Sequence, residues 1–167
     1  IKFQDLVNKP LETLQNIRKK MDIEIKTWWD FYAEKSQALT ETGKMKMQEE
    51  ITNFQLEIDR FQFGIDTIST YPSVLKSFAF MNKAFFLASK KYDTWRLFQI
   101  VFIVSLVPDI VACDENIMPP EDKPKTTLSE VSLLYFPTGG GKTEAFLGVL
   151  VFNLFFDRFR GQSCGVT

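Results

Sequence analysis

Apolar positions recur at helical spacing almost from the start of the chain. Pro10 suits the first turn of a helix, where a missing N–H costs nothing. Leu11, Leu14, Ile17, Met21, Ile25, Trp28, Trp29 and Tyr32 follow it, mostly three and four residues apart, and predict an amphipathic helix running to about Leu39. Thr40-Glu41-Thr42-Gly43 predicts a turn. Beyond it, Met47, Ile51, Phe54, Ile58, Phe61, Ile65 and Ile68 alternate strictly between spacings of four and three. That is a heptad seam, and Pro72 ends it. Two helices joined by so short a turn make a helical hairpin. The plain expectation is that the seam packs the hairpin on itself and on the next helix; a partner-binding coiled coil is the alternative.

The helical pattern continues. Val74, Leu75, Phe78, Met81, Phe85 and Phe86 predict a third helix over 73–89, with Lys83, Lys90 and Lys91 making the region locally basic. A fourth is expected to start near Trp95 and to stop before Pro108, because proline disfavours helical geometry in its predecessor. Composition then shifts. Residues 108–127 are rich in Pro, Asp, Glu and Lys with little periodicity, which predicts a long loop. The expected organisation is a helical region at 1–107, this loop at 108–127, and a third part at 128–167. The apolar stretches 97–107 and 145–156 are shorter than the roughly 20 residues needed to cross a bilayer. Both are read as buried core helices, with no membrane partner.

Composition narrows the chemistry. The 17 Phe, 3 Trp and 4 Tyr among 167 residues exclude a disordered chain, and a formal net charge of -1 excludes a polycationic nucleic-acid tail. Histidine is absent and the cysteines, Cys113 and Cys164, are far apart, so a zinc site, a disulfide framework and a His-based triad are not expected. A reducing cytoplasm is the expected location. The start at Ile1 and the stop at Gly165-Val166-Thr167, where a further strand is expected to begin, suggest a piece of a longer protein.

One segment carries a chemical signature. Val131-Ser132-Leu133-Leu134-Tyr135-Phe136 is an apolar run of strand length. Pro137-Thr138-Gly139-Gly140-Gly141-Lys142-Thr143 follows, and then Glu144 and an apolar helical stretch. Strand, glycine-rich loop ending in Gly-Lys-Thr, and helix make a P-loop unit. Glycines let successive backbone N–H groups approach phosphate oxygens without a Cβ in the way. The following helix offers its positive end to the same anion. Lys142 supplies a mobile charge for the β- and γ-phosphates and Thr143 a hydroxyl for Mg²⁺. The expected nucleotide contacts are Thr138, Gly139, Gly140, Gly141, Lys142, Thr143 and Glu144, with Lys142 and Thr143 catalytic.

Phe136 stands where the strict motif has its first glycine. The loop Pro-Thr-Gly-Gly-Gly-Lys-Thr therefore resembles motif I of superfamily-two helicases more than kinase, GTPase or transporter loops. Trp95-Arg96-Leu97-Phe98-Gln99 resembles the Arg-x-Phe-Gln element that precedes motif I in many of them, where Gln99 would pair with adenine N6 and N7 and Arg96 or Phe98 would pack near the base. Together with Phe61-Gln62-Phe63-Gly64-Ile65 and the run 72–85, these elements resemble, over roughly residues 55–167, the helicase subunits of DISARM phage-defence systems. The resemblance implies a mainly α chain: a helical N-terminal region with a hairpin, then the first strand, P-loop and helix of a RecA-like α/β ATPase lobe. It implies an ATP- and Mg²⁺-dependent helicase or translocase acting on single- or double-stranded DNA in bacterial anti-phage defence, with other defence subunits as partners. The acidic motif and arginine fingers that hydrolysis requires are expected beyond Thr167, so this stretch alone is expected to be inactive. Asp114-Glu115-Asn116-Ile117 mimics the acidic motif but precedes the P-loop, and is read as part of the loop. Two alternatives stand beside the motor: a P-loop NTPase of another class with a helical regulator, or a helical interaction module. Exposure of Trp28, Trp29 and Phe31 would favour the last.

Overall fold

Six α-helices account for most of the residues that the computed structural model describes, which are 1–89, 92–122 and 140–160. They are α1 (Phe3–Asn8), α2 (Pro10–Lys35), α3 (Glu41–Thr70), α4 (Pro72–Ala88), α5 (Leu97–Val111) and α6 (Lys142–Phe159). No strand occurs among the described residues. An isolated antiparallel bridge pairs Lys2 with Thr94. The apolar run 131–136 and the strand expected near Gly165 lie outside the described residues.

The hairpin is present, formed by α2 and α3. A short 3-10 turn over Ser36–Ala38 continues α2, and the expected four-residue turn is shorter than its sequence suggests. Thr40 is an N-cap whose hydroxyl accepts from the Gly43 N–H at 3.2 Å, so Glu41, Thr42 and Gly43 already belong to α3. The heptad seam faces inward: Ile51, Ile58, Phe61, Ile65 and Ile68 are buried, with Met47 and Phe54 packed against them. The seam is filled from within this chain, by α2 on one side and α5 on the other. Pro72 separates α3 from α4 by occupying the first turn of α4.

On α4, Phe78 is buried and Phe85 packs against the core, while Phe86 is exposed. One expectation is corrected by the packing. The fourth helix runs through Pro108 to Val111 instead of stopping before it. Proline removes the N–H that would bond the carbonyl four residues back, here that of Val104. Burial of Val107, Pro108 and Val111 holds the last turn helical, and the Ala112 N–H closes it on the Pro108 carbonyl at 2.8 Å. The long loop is correspondingly shorter, since Ala112 and Met118 are buried and Pro120–Asp122 form a 3-10 turn.

That segment is tied to the far end of α6. Arg160 donates to Asp114 at 3.0 Å and, through Nε, to Asp157 at 2.9 Å. Burial works against the charged form of Asp114. The Asn116 backbone N–H and the Arg160 guanidinium outweigh it and hold the carboxyl below the ordinary aspartate range. A carboxyl more acidic in the folded than in the unfolded chain stabilises the fold above its unfolded pKa and loses that effect as pH falls through its folded value. Stability is therefore expected to decline on acidification below about pH 4, and Asp114→Asn should flatten that part of a pH series of urea melts. An unchanged pH profile would discard the linkage.

Candidate functional site

The site is built where the start of α5 meets the start of α6. Trp95 anchors the chain before α5. It is buried, its Nε1 donates to Asn82 Oδ1 at 2.8 Å, and its ring lies 5.1 Å from that of Phe3 and 4.4 Å from that of Phe85. The backbone on either side is held too, with the Phe3 N–H on the Asp93 carbonyl and the Trp95 N–H on the Ile1 carbonyl, at 3.0 and 2.7 Å. Helix α6 approaches closely because Gly148 has no side chain; a Cβ there would stand 2.4 Å from Ile103 and 3.1 Å from Trp95. Small size at Gly148 thus sets how near the glycine-rich loop comes to α5.

At that meeting point the two motifs touch, more than forty residues apart in sequence. Arg96 Nη1 donates to the Gly140 carbonyl at 2.7 Å, and Gln99 Nε2 to the Gly141 carbonyl at 2.8 Å. The other end of the Gln99 amide accepts from the Arg96 backbone N–H at 2.8 Å. Gln99 is 4% exposed, so both ends of its amide are engaged by protein. Gly141 is left-handed (φ 89°), and a Cβ on it would stand 2.7 Å from Gln99 Nε2 and 3.4 Å from Glu144 Oε2. Only glycine fits that conformation without strain in so narrow a space.

A cleft of about 450 Å³ opens here, lined by Tyr92, Thr94, Arg96, Gln99, Gly140, Gly141, Lys142, Thr143 and Glu144. Of the residues predicted from sequence, Gln99, Gly140, Gly141, Lys142, Thr143 and Glu144 come together in it; Thr138 and Gly139 lie outside the described residues. Tyr92 and Thr94 went unforeseen, since neither belongs to a recognisable motif and only the turn before Trp95 brings them in. Phe98 does not share the cleft. It faces a larger groove of about 1200 Å³ on the other side of α5, with Met21, Phe54, Leu97 and Val101. That groove contains none of the Gly-Lys-Thr residues.

The remaining candidates lie elsewhere. Asp114 is bonded to Arg160, at the opposite end of α6 and roughly 27 Å from the loop at 1.5 Å per residue. It takes no part in the cleft, in line with its reading as part of the loop before the glycine-rich segment. Lys83 stands over the Phe80 ring at 5.8 Å; Lys90 and Lys91 lie outside the described residues. Among the described residues no cluster of acidic, cysteine or histidine side chains is arranged to hold a metal ion, and no helix is long and apolar enough to cross a membrane. Trp28, Trp29 and Phe31 are exposed.

Comparison with known proteins gives one partial likeness. No family model matches the chain. Over 64 residues it is 41% identical to the DISARM protein DrmA of Bacillus paralicheniformis, a match covering 38% of this chain and 5% of that protein. The chain thus resembles a DISARM protein over a limited stretch and corresponds to a small part of its length.

Proposed function

We propose that this chain is the nucleotide-binding start of an ATP-dependent DNA helicase or translocase with a role in phage defence. The observation that supports this most directly is the meeting of Arg96 and Gln99 with the Gly-Gly-Lys-Thr loop at the head of α6. Two elements that the superfamily-two resemblance requires to be neighbours are neighbours in the fold, although separated by a segment of unrelated composition. The likeness to DrmA adds the defence context.

The residues fit a nucleoside triphosphate. Gly141 adopts the left-handed conformation that opens a loop to an anion, and Lys142 follows at the first position of α6. ATP with Mg²⁺ would be held by Thr138, Gly139, Gly140, Gly141 and Lys142, with the metal near the Thr143 hydroxyl. In this conformation Gln99 braces the loop; reading an adenine would require its amide to release the Gly141 carbonyl and the Arg96 N–H.

The test is ATP turnover by the full-length parent protein, alone and with single- or double-stranded DNA. Turnover stimulated by DNA is expected, and the more effective strand form identifies the track. Turnover indifferent to DNA moves the assignment to another class of P-loop NTPase. A second reading, a docking module for another defence subunit, draws on the exposure of Trp28, Trp29 and Phe31 near the end of the hairpin, at 37%, 44% and 52%. A well-folded parent with no turnover would leave that reading standing and remove the motor.

A further inference from the structure

Arg96 makes a contact to which the proposed function assigns no task of its own. It is exposed, yet its guanidinium reaches across 44 residues of sequence to one backbone carbonyl, that of Gly140, at 2.7 Å. A planar trans peptide points its C=O and its N–H in opposite directions. Holding the Gly140 carbonyl toward α5 therefore turns the N–H of Gly141 away from α5. The Gln99 bond to the Gly141 carbonyl, at 2.8 Å, does the same to the N–H of Lys142. Two successive N–H groups thus share one side of the loop at the positive end of α6, which Lys142 begins.

We infer that Arg96 is a positioning residue for the phosphates of a nucleoside triphosphate, acting through the Gly140 carbonyl rather than on the base. This rests on the nucleotide-binding reading of the cleft. It assigns Arg96 to the phosphate end of the ligand, where proximity in sequence to Gln99 suggests the base end. A positioning role carried by a carbonyl also predicts that the effect is not a screened charge–charge attraction.

The test is binding of ATP and of adenosine to the full-length parent and its Arg96→Ala and Arg96→Lys variants, by competition with a fluorescent ATP analogue. The exposed position of Arg96 leaves the core untouched, which matching thermal unfolding of the variants will check. Arg96→Ala is expected to weaken ATP roughly tenfold, the scale of one lost hydrogen bond, and to leave adenosine unchanged. Arg96→Lys should recover part of the loss, because an ammonium can still donate to the carbonyl. The ATP ratio between wild type and Arg96→Ala should persist in about 0.5 M salt, where exposed charge pairs are screened. Equal losses of ATP and adenosine would place Arg96 at the base and overturn the inference. So would an unaltered ATP affinity, or a ratio that collapses in salt, which marks direct contact with phosphate. A wild-type parent that binds no ATP would instead remove the nucleotide-binding reading itself.

Discussion

Lys142→Ala is expected to lower ATP turnover by the full-length parent about 10²–10³-fold, the range for removing a preorganised charge or donor from a developing oxyanion. Phosphoryl transfer leaves the protein little covalent work, so positioning and charge stabilisation provide most of the rate. Lys142 is the first residue of α6 and directly follows the left-handed Gly141. On the proposed reading its ammonium serves the same phosphates as the loop N–H groups, and the buried residue of this first turn is Ala145, not Lys142. Substitution should leave the helices intact, which circular dichroism will show. Loss of turnover with an unaltered fold separates a catalytic role from a structural one. A variant that keeps more than a tenth of wild-type turnover would sink the assignment of Lys142.

Gly64→Ala is expected to destabilise the chain by about 3 kcal/mol, at the upper end of ordinary overpacking costs. That corresponds to a fall in Tm of roughly 6–12 °C for a domain of this size. The sign is not obvious from the helix alone, since alanine improves helix propensity over glycine by about 1 kcal/mol. Tertiary contact decides it. A Cβ at Gly64 would lie 2.2 Å from the Val104 carbonyl oxygen and 2.8 Å from its carbon, and a backbone group cannot swing aside as a side chain does. Pro108 explains why that carbonyl is there: it lacks the N–H that would ordinarily bond Val104. Gly64 packs onto the carbonyl so freed, where α3 crosses α5. Gly43→Ala is the control, because the nearest atoms to its Cβ would be 3.3 Å away on Thr40 and 3.6 Å on Leu39. A thermal melt in which Gly64→Ala is as stable as Gly43→Ala would show that α3 and α5 adjust freely.

The core was legible where periodicity ran long. The seam from Met47 to Ile68 faces inward as its spacing requires, and so does the stripe of α2 from Leu14 to Ile25, whereas Trp28 and Trp29, further along the same stripe, are exposed. Element ends were less legible. Thr40-Glu41-Thr42-Gly43 reads as a turn, and the Gly43 N–H on the Thr40 hydroxyl shows Thr40 to be the cap of α3 instead. Pro108 reads as a stop, and only burial of Val107 and Val111 shows why the helix passes through it. Helix α1 left no signal: six residues with Phe3 and Leu6 buried are too few for a period to register.

What the chain determined alone is local. Alternating threes and fours specify which helix faces are buried, and glycines before an apolar stretch mark where a helix begins, since backbone freedom and periodicity are properties of nearby residues. What only the tertiary structure decided is which distant groups meet. Arg96 and Gln99 reach the loop because Trp95, packed on Phe3 and Phe85, fixes the start of α5, and because Gly148 lets α6 lie close enough. Phe98, one residue from Gln99 in sequence, faces the other groove for the same reason: successive residues on a helix point about 100° apart, and the packing of α5 between α3 and α6 sends one to the cleft and the other away from it.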